Sequence, residues 1–218
     1  MPLTERIDGK AGASAALRNE PVQARSAARL TALLDAAASA IDELGYERLT
    51  TAMVAERAGA SIGTVYRYFP DRIAVLQALA TRNLDHVLEG IQRAVSDRRA
   101  VTWRDAVVGS FDAYVAAFRS ERGFASLRGG DVLDLRPNAG GASANAQIAE
   151  VVMHSLAARF GTDTSAKTLF AFENAIEVQD ALIARAFARA FARTPKCDAA
   201  FLESGRALVL SILAERLA

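Results

Sequence analysis

Apolar residues recur at helical spacing along nearly the whole chain, and the strict alternation of a half-buried strand appears nowhere. The pattern predicts an all-α fold. Leu30, Leu33, Leu34, Ala37, Ala38, Ile41 and Leu44 form one continuous stripe on a helix from about Pro21 to Leu44, stopped by Gly45. Two short helices follow on either side of a tight turn, Ala58-Gly59-Ala60-Ser61. The first is capped by Thr50 or Thr51 and turns Val54, Ala55 and Ala58 to one side. The second, Ile62 to about Tyr68, is capped by Ser61 and turns Val65 and Phe69 inward. Asp71 opens a longer helix to about Ser96, with Leu76, Leu79, Leu84, Val87, Leu88 and Ile91 on its apolar face.

The charged run Asp97-Arg98-Arg99 reads as a solvated loop, and beyond it the helical period resumes. Helices are predicted over Thr102 to Arg119, Ser143 to Phe160 with Gly161 as the stop, and Thr164 to Arg193. After Pro195 a last helix, capped by Asp198, reaches about Arg216. A shorter piece covers Phe124 to Leu135, and Arg136-Pro137-Asn138-Ala139-Gly140-Gly141 reads as a loop. The last two helices carry more apolar surface than one face hides. Phe170, Phe172, Ile176, Leu182 and Phe187 span a wide arc of one, and Phe201, Leu202, Leu208, Ile212 and Leu213 of the other. Such helices need cover on more than one side. A two-fold homodimer, with both helices packed on their copies as a four-helix interface, supplies it. The alternative is a deeply buried core within one chain.

At 218 residues the chain has room for a small domain beside a larger one. Residues 1–20 are small, polar and mixed in charge, and are predicted to form a disordered arm. The division then falls into 21–82 and 83–218. A net charge of only +1 excludes a general polyanion binder. From Pro21 to Arg82 seven arginines face six acids, so any contact with a polyanion depends on where the arginines point. The single cysteine, Cys197, excludes an internal disulfide and a cysteine metal cluster. The two histidines, His86 and His154, are not at metal-ligand spacing, and the paired glycines lack the strand that a phosphate-cradling loop requires. No cofactor and no metal are therefore predicted, and an all-α enzyme has no residue to stand on. The first 20 residues lack the apolar run of a secretory leader, and no uncharged segment approaches the roughly 20 residues that span a bilayer. The predicted compartment is the cytoplasm, with no membrane partner.

Two short helices around a glycine-containing turn form a helix-turn-helix, whose second member fits the DNA major groove. Its outward residues are Ser61, Ile62, Gly63, Thr64, Tyr66, Arg67 and Tyr68. Gly63 lets backbone approach a phosphate or base edge closely. Thr64 offers a hydroxyl or methyl to a base, the two tyrosines offer phenolic bonds to phosphates, and Arg67 reads guanine or binds phosphate. Thr50, Thr51 and Arg72 complete the candidate set around this motif.

On Leu30, Leu33, Leu34, Ala37, Ala38, Gly45-Tyr46, Thr50-Thr51, Val54-Ala55, Ala58-Gly59, Ser61, Gly63-Thr64-Val65-Tyr66, Tyr68-Phe69, Arg72 and Val75-Leu76, the chain resembles the TetR/AcrR-type bacterial transcriptional repressors. The likeness covers about residues 25–80. The family commonly has Ile-Ala at Val54-Ala55, His or Tyr at Tyr68 and Lys at Arg72, so the departures keep size or charge. The resemblance implies an N-terminal helix-turn-helix domain and a larger C-terminal helical domain for ligand binding and dimerisation. It implies a homodimer on double-stranded, (pseudo)palindromic operator DNA, released by a small-molecule effector. Arg25, Ser26 and Arg29, off the stripe of the first helix, would then meet the phosphate backbone. The helix after Asp71 would link ligand state to the spacing of the two DNA-binding heads. A regulator controlled without a ligand, as an activator or through a protein partner, is the alternative.

An effector cavity on that plan is lined by Phe111, Tyr114 and Phe118, with Met153, His154, Glu173, Asn174 and Glu177 facing them. Glu173, Glu177 and Asp180 share one helical face with no base four positions on, and like charges at that spacing repel. Water, Arg128 or Arg136, pairing within the chain, or a cationic ligand would compensate them.

Overall fold

The computed structural model describes residues 11–128, 142–193 and 199–217. Among them every regular element is helical: α1 (Ala11–Leu44), a 3-10 turn (Tyr46–Arg48), α2 (Thr51–Arg57), α3 (Ile62–Tyr68), α4 (Arg72–Ser96), α5 (Trp103–Ser120), α6 (Phe124–Arg128), α7 (Ala144–Phe160), α8 (Ala166–Arg193) and α9 (Ala199–Leu217). The all-α reading holds. Local chemistry fixes most of the boundaries. Thr50, Ser61, Asp71, Thr102 and Ser143 each accept a backbone N–H of the first turn that follows them. Thr102 and Asp105 do so reciprocally, as a capping box. Gly161 ends α7 in the left-handed conformation, at φ 69°.

Two hydrophobic cores form. The head core gathers Leu33, Leu34, Ala37, Ile41, Leu49, Val54, Val65, Phe69, Val75, Leu76 and Leu79 from α1 to α4. The body core runs through α4, α5, α7, α8 and α9 and includes Val87, Ile91, Phe111, Tyr114, Ile148, Leu156, Phe172, Ile183 and Leu213. α4 belongs to both. Its buried stripe passes from Leu79 and Ala80 in the head to Val87 and Ile91 in the body. Asn83 lies between them, 1% exposed, and neither its side-chain oxygen nor its nitrogen finds a hydrogen-bond partner.

The turn from α5 into α6 ties the two cores a second time. The Gly123 N–H donates to the Asp42 carboxylate on α1 at 2.5 Å. Gly123 has φ +74°, and a Cβ there would meet Ile41 Cγ2 at 3.3 Å, so a side chain would be strained by conformation and crowded against Ile41. Within the single short α6, Phe124 packs into the body core and Leu127 into the head core.

Several expectations are corrected. α1 begins at Ala11 rather than near Pro21, so residues 11–20 are helical rather than a disordered arm. Their alanines and Leu17 favour helix, and Pro21 does not stop it. Leu30 is 36% exposed and lies outside the head core, which begins at Leu33. α8 starts at Ala166 because Ser165, not Thr164, takes the Thr168 N–H, while Asp163 accepts the hydroxyls of Ser165 and Thr168. Residues 1–10, the continuation of α6 to Leu135, the loop 136–141, Pro195, Cys197 and Asp198 lie outside the described residues.

Candidate nucleic-acid interface

The turn between α2 and α3 is built from backbone outward. Ala60 N–H reaches Ala55 C=O at 2.9 Å and Gly59 N–H reaches Glu56 C=O at 3.2 Å. This is a Schellman motif, and it needs the left-handed residue that Gly59 supplies at φ 57°. Ser61 then caps α3, its Oγ accepting Thr64 N–H at 3.1 Å and lying 2.9 Å from Thr64 Oγ1. Val65 is fully buried and Phe69 nearly so, which sets the rotation of α3. The opposite side is open: Ser61, Ile62, Gly63, Tyr66 and Arg67 are exposed, with Ile62 at 43% and Tyr66 at 53%.

Three side chains hold this surface in place. The Tyr68 hydroxyl sits 3.1 Å from Ser26 Oγ, which ties the end of α3 to α1. Thr51 Oγ1 donates to the Tyr66 hydroxyl at 3.4 Å, linking α2 to the exposed ring. Arg72 donates to the Glu47 carbonyl at 2.6 Å, fixing the start of α4 on the 3-10 turn. Tyr68, Ser26, Thr51 and Arg72 thus have partners within the chain, and Tyr68, Thr51, Thr64 and Arg72 are half-buried.

The arginines divide into two groups. Arg57 grips Glu43 through both Nη atoms, at 2.8 and 2.5 Å, and also donates to Ser39 Oγ. That hydrogen bond holds the Glu43 carboxyl below its ordinary range and raises Arg57. Arg82 pairs with Asp35 at 2.7 Å. By contrast, Arg25, Arg29, Arg48 and Arg67 are exposed and make no ion pair among the described residues. Arg48 is the addition here: the sequence counts it among the head arginines but gives no reason to single it out. On the acid side, Asp35 and Glu43 are spent on those pairs, Asp71 caps α4 and Asp42 holds Gly123. Glu47 and Glu56 are also exposed, so the head stays nearly neutral, with Arg25, Arg29, Arg48 and Arg67 as exposed arginines outside any ion pair among the described residues.

The residues expected around an effector separate. Phe111, Tyr114, Phe118 and Met153 are buried in the body core. Tyr114, Phe118 and Phe124 form an aromatic group with ring centroids 4.9 to 6.0 Å apart, and Phe187 stacks on Phe118 at 5.1 Å. The Tyr114 hydroxyl donates to Asp180, which settles one of the three acids of α8 by pairing within the chain. His154, Asn174 and Glu177 are exposed, and Glu173 is half-buried. The expectation that His154, Asn174 and Glu177 face the aromatics is corrected: their neighbours Met153, Ala175 and Ile176 take the inward side of α7 and α8.

Comparison with known proteins now decides the family. Residues 33–79 match the model of bacterial regulatory proteins of the tetR family, and residues 101–217 match the tetracyclin repressor-like C-terminal domain. The chain belongs to the TetR family. A TetR-family transcriptional regulator from Streptomyces coelicolor is similar throughout, at 31% identity and a TM-score of 0.71, over 87% of this chain and 99% of that one. TetR-Q116A from Acinetobacter baumannii, solved in complex with minocycline, shares the fold at 22% identity and a TM-score of 0.59, over 85% and 97%. Among curated relatives, the HTH-type transcriptional regulator BetI of Serratia proteamaculans is 34% identical over 84 residues, 37% of this chain and 42% of BetI. An HTH-type transcriptional regulator of Mycobacterium tuberculosis is 38% identical over 69 residues, 32% of this chain and 36% of that protein. The match thus spans less than half the length of these curated relatives. In this TetR-family chain no helix among the described residues is long and apolar enough to cross a membrane.

Proposed function

We propose that this protein is a homodimeric transcriptional repressor that binds a (pseudo)palindromic operator and leaves it when a small molecule occupies the body. The outward side of α3 carries the reading: Ile62, Gly63, Tyr66 and Arg67 stand exposed while Val65 and Phe69 lock the helix from behind. A helix held this way presents hydroxyl, guanidinium and apolar groups together, the mixture that reads base edges and phosphates in a major groove. Arg25, Arg29 and Arg48 supply further charge for the backbone. Residues 21–82 serve as the DNA-binding unit and 83–218 as the effector and dimer unit. Phe170 on α8 is 63% exposed and Leu208 on α9 47%, large apolar groups on two helices that already pack on each other. A second copy covering them forms a four-helix interface and sets two α3 helices on one face of the DNA. In the dimer, effector binding favours an arrangement whose recognition helices no longer match successive grooves.

The test is a gel shift on the promoter region bound by the wild type, comparing it with Arg67→Ala. If Arg67 contacts a base, the variant loses about 1–3 kcal/mol, roughly 5- to 150-fold in affinity. Its melting temperature stays put, because Arg67 is exposed and makes no ion pair among the described residues. Equal affinity of variant and wild type overturns the role given to this side of α3.

A further inference from the structure

The body encloses a small cavity where five helices converge. Its wall includes Ile91 of α4, Val107 of α5, Val152 of α7, Phe172 and Gln179 of α8, and Leu213 of α9. Its volume, about 10 Å³, is close to the least that holds one water. None of its lining residues is charged. Two are polar. Ser110 spends its hydroxyl on the Ala106 carbonyl at 2.8 Å. Gln179 is 3% exposed, and its amide has no hydrogen bond among the described residues. Gln179 lines the cavity, and a guest that hydrogen-bonds its amide there gives a partner to a polar group in an otherwise apolar wall.

From this we infer that the effector is a neutral, mainly apolar molecule carrying one hydroxyl, carbonyl or amide group, which seats on Gln179 at the meeting point of α4, α5, α7, α8 and α9. The inference rests on the ligand-released reading above and sharpens it. A carboxylate or ammonium placed here finds no counter-charge on the wall, and burying an unpaired ion costs far more than an apolar contact returns. The acid-rich side of α8 suggests a cation from sequence alone, but Glu177 is exposed and Asp180 is bound by Tyr114. The wall also explains coupling. The space is full once a single water enters, so a larger guest must part the helices. One of them is α4, which starts at Arg72 in the head and meets the guest at Ile91. Others are α8 and α9, which carry Phe170 and Leu208.

Three probes of equal chain length separate the charge classes: 1-octanol, octanoate and octylammonium. Each is titrated into the full-length wild type and into Gln179→Leu, a substitution of similar volume whose folding is checked by its own melting curve. Calorimetry reads binding, and a gel shift reads operator release. The expected result is saturable binding of octanol alone, weakened roughly tenfold in Gln179→Leu by loss of one hydrogen bond. Binding of octanoate or octylammonium as tight as octanol overturns the inference, as does octanol affinity unchanged by Gln179→Leu, or no binding of octanol. Octanol that binds through Gln179 without releasing the operator upholds the site and its ligand class, and overturns only the ligand-released reading on which it was framed.

Discussion

Ser61 caps the helix that displays Tyr66 and Arg67 little more than a turn later, whereas the cavity of the body is closed by Ile91 and Leu213, from far-separated parts of the chain. The two regions store function at different ranges. In the head, the groups proposed to meet DNA are surface side chains, and what aims them lies within a few residues: a Thr50 cap, a Gly59 turn, a Ser61 cap, and Val65 as the inward pin. In the body, the wall is made of ordinary apolar side chains apart from Ser110 and Gln179, and only the convergence of five helices brings them around one cavity. Surface chemistry is thus cheap to alter without loss of fold in the head, and the reverse holds in the body.

The comparison breaks most visibly at Phe111, which is fully buried and packs so closely on Gly205 that a Cβ there would lie 3.3 Å from its ring. Phe111→Ala should cost about 3–5 kcal/mol of stability in a denaturant titration. Operator affinity per folded molecule should remain that of the wild type. A parallel loss of affinity in fully folded protein would show that head and body are not separable in this way. At the seam, Asn83→Leu removes two buried, unpartnered polar atoms from α4 and should raise stability by about 1–3 kcal/mol. A fall in the denaturation midpoint would mean that the amide has a partner in solution. The smallest effect belongs to the head cap. Ser61→Ala deprives Thr64 N–H of its acceptor and should cost about 1 kcal/mol of stability. Unlike Phe111→Ala, it should also weaken operator binding in folded protein, because the first turn of α3 carries Ile62 and Gly63. Unchanged binding would separate the cap from the reading surface.

Most of the architecture was legible because caps and periodicity act over a turn or two. Thr50, Ser61, Asp71, Ser143 and Gly161 each mark a boundary by a bond within three or four residues. The exposed side of α3 followed from Val65 and Phe69 alone. What failed depends on partners distant in sequence. Counting arginines does not reveal that Glu43 occupies Arg57 or that Asp35 occupies Arg82. Nothing near Arg72 announces that the Glu47 carbonyl will hold it. In the body, His154 follows the buried Met153, and one helical step of 100° is enough to carry it into solvent. Which step points inward is set by how α7 docks, and helices rich in alanine and valine on several sides leave that rotation open. The same ambiguity hid Gln179, a single amide among apolar neighbours, and favoured the more conspicuous acids beside it.

The short α6 acts as a rivet through two plates. Because Phe124 and Leu127 sit one turn apart in different cores, and Gly123 is clamped between Ile41 and the Asp42 carboxylate, neither plate can loosen without exposing the rivet's far end. The two regions are thereby expected to melt as one cooperative unit, although nearly all of their surface chemistry is kept apart.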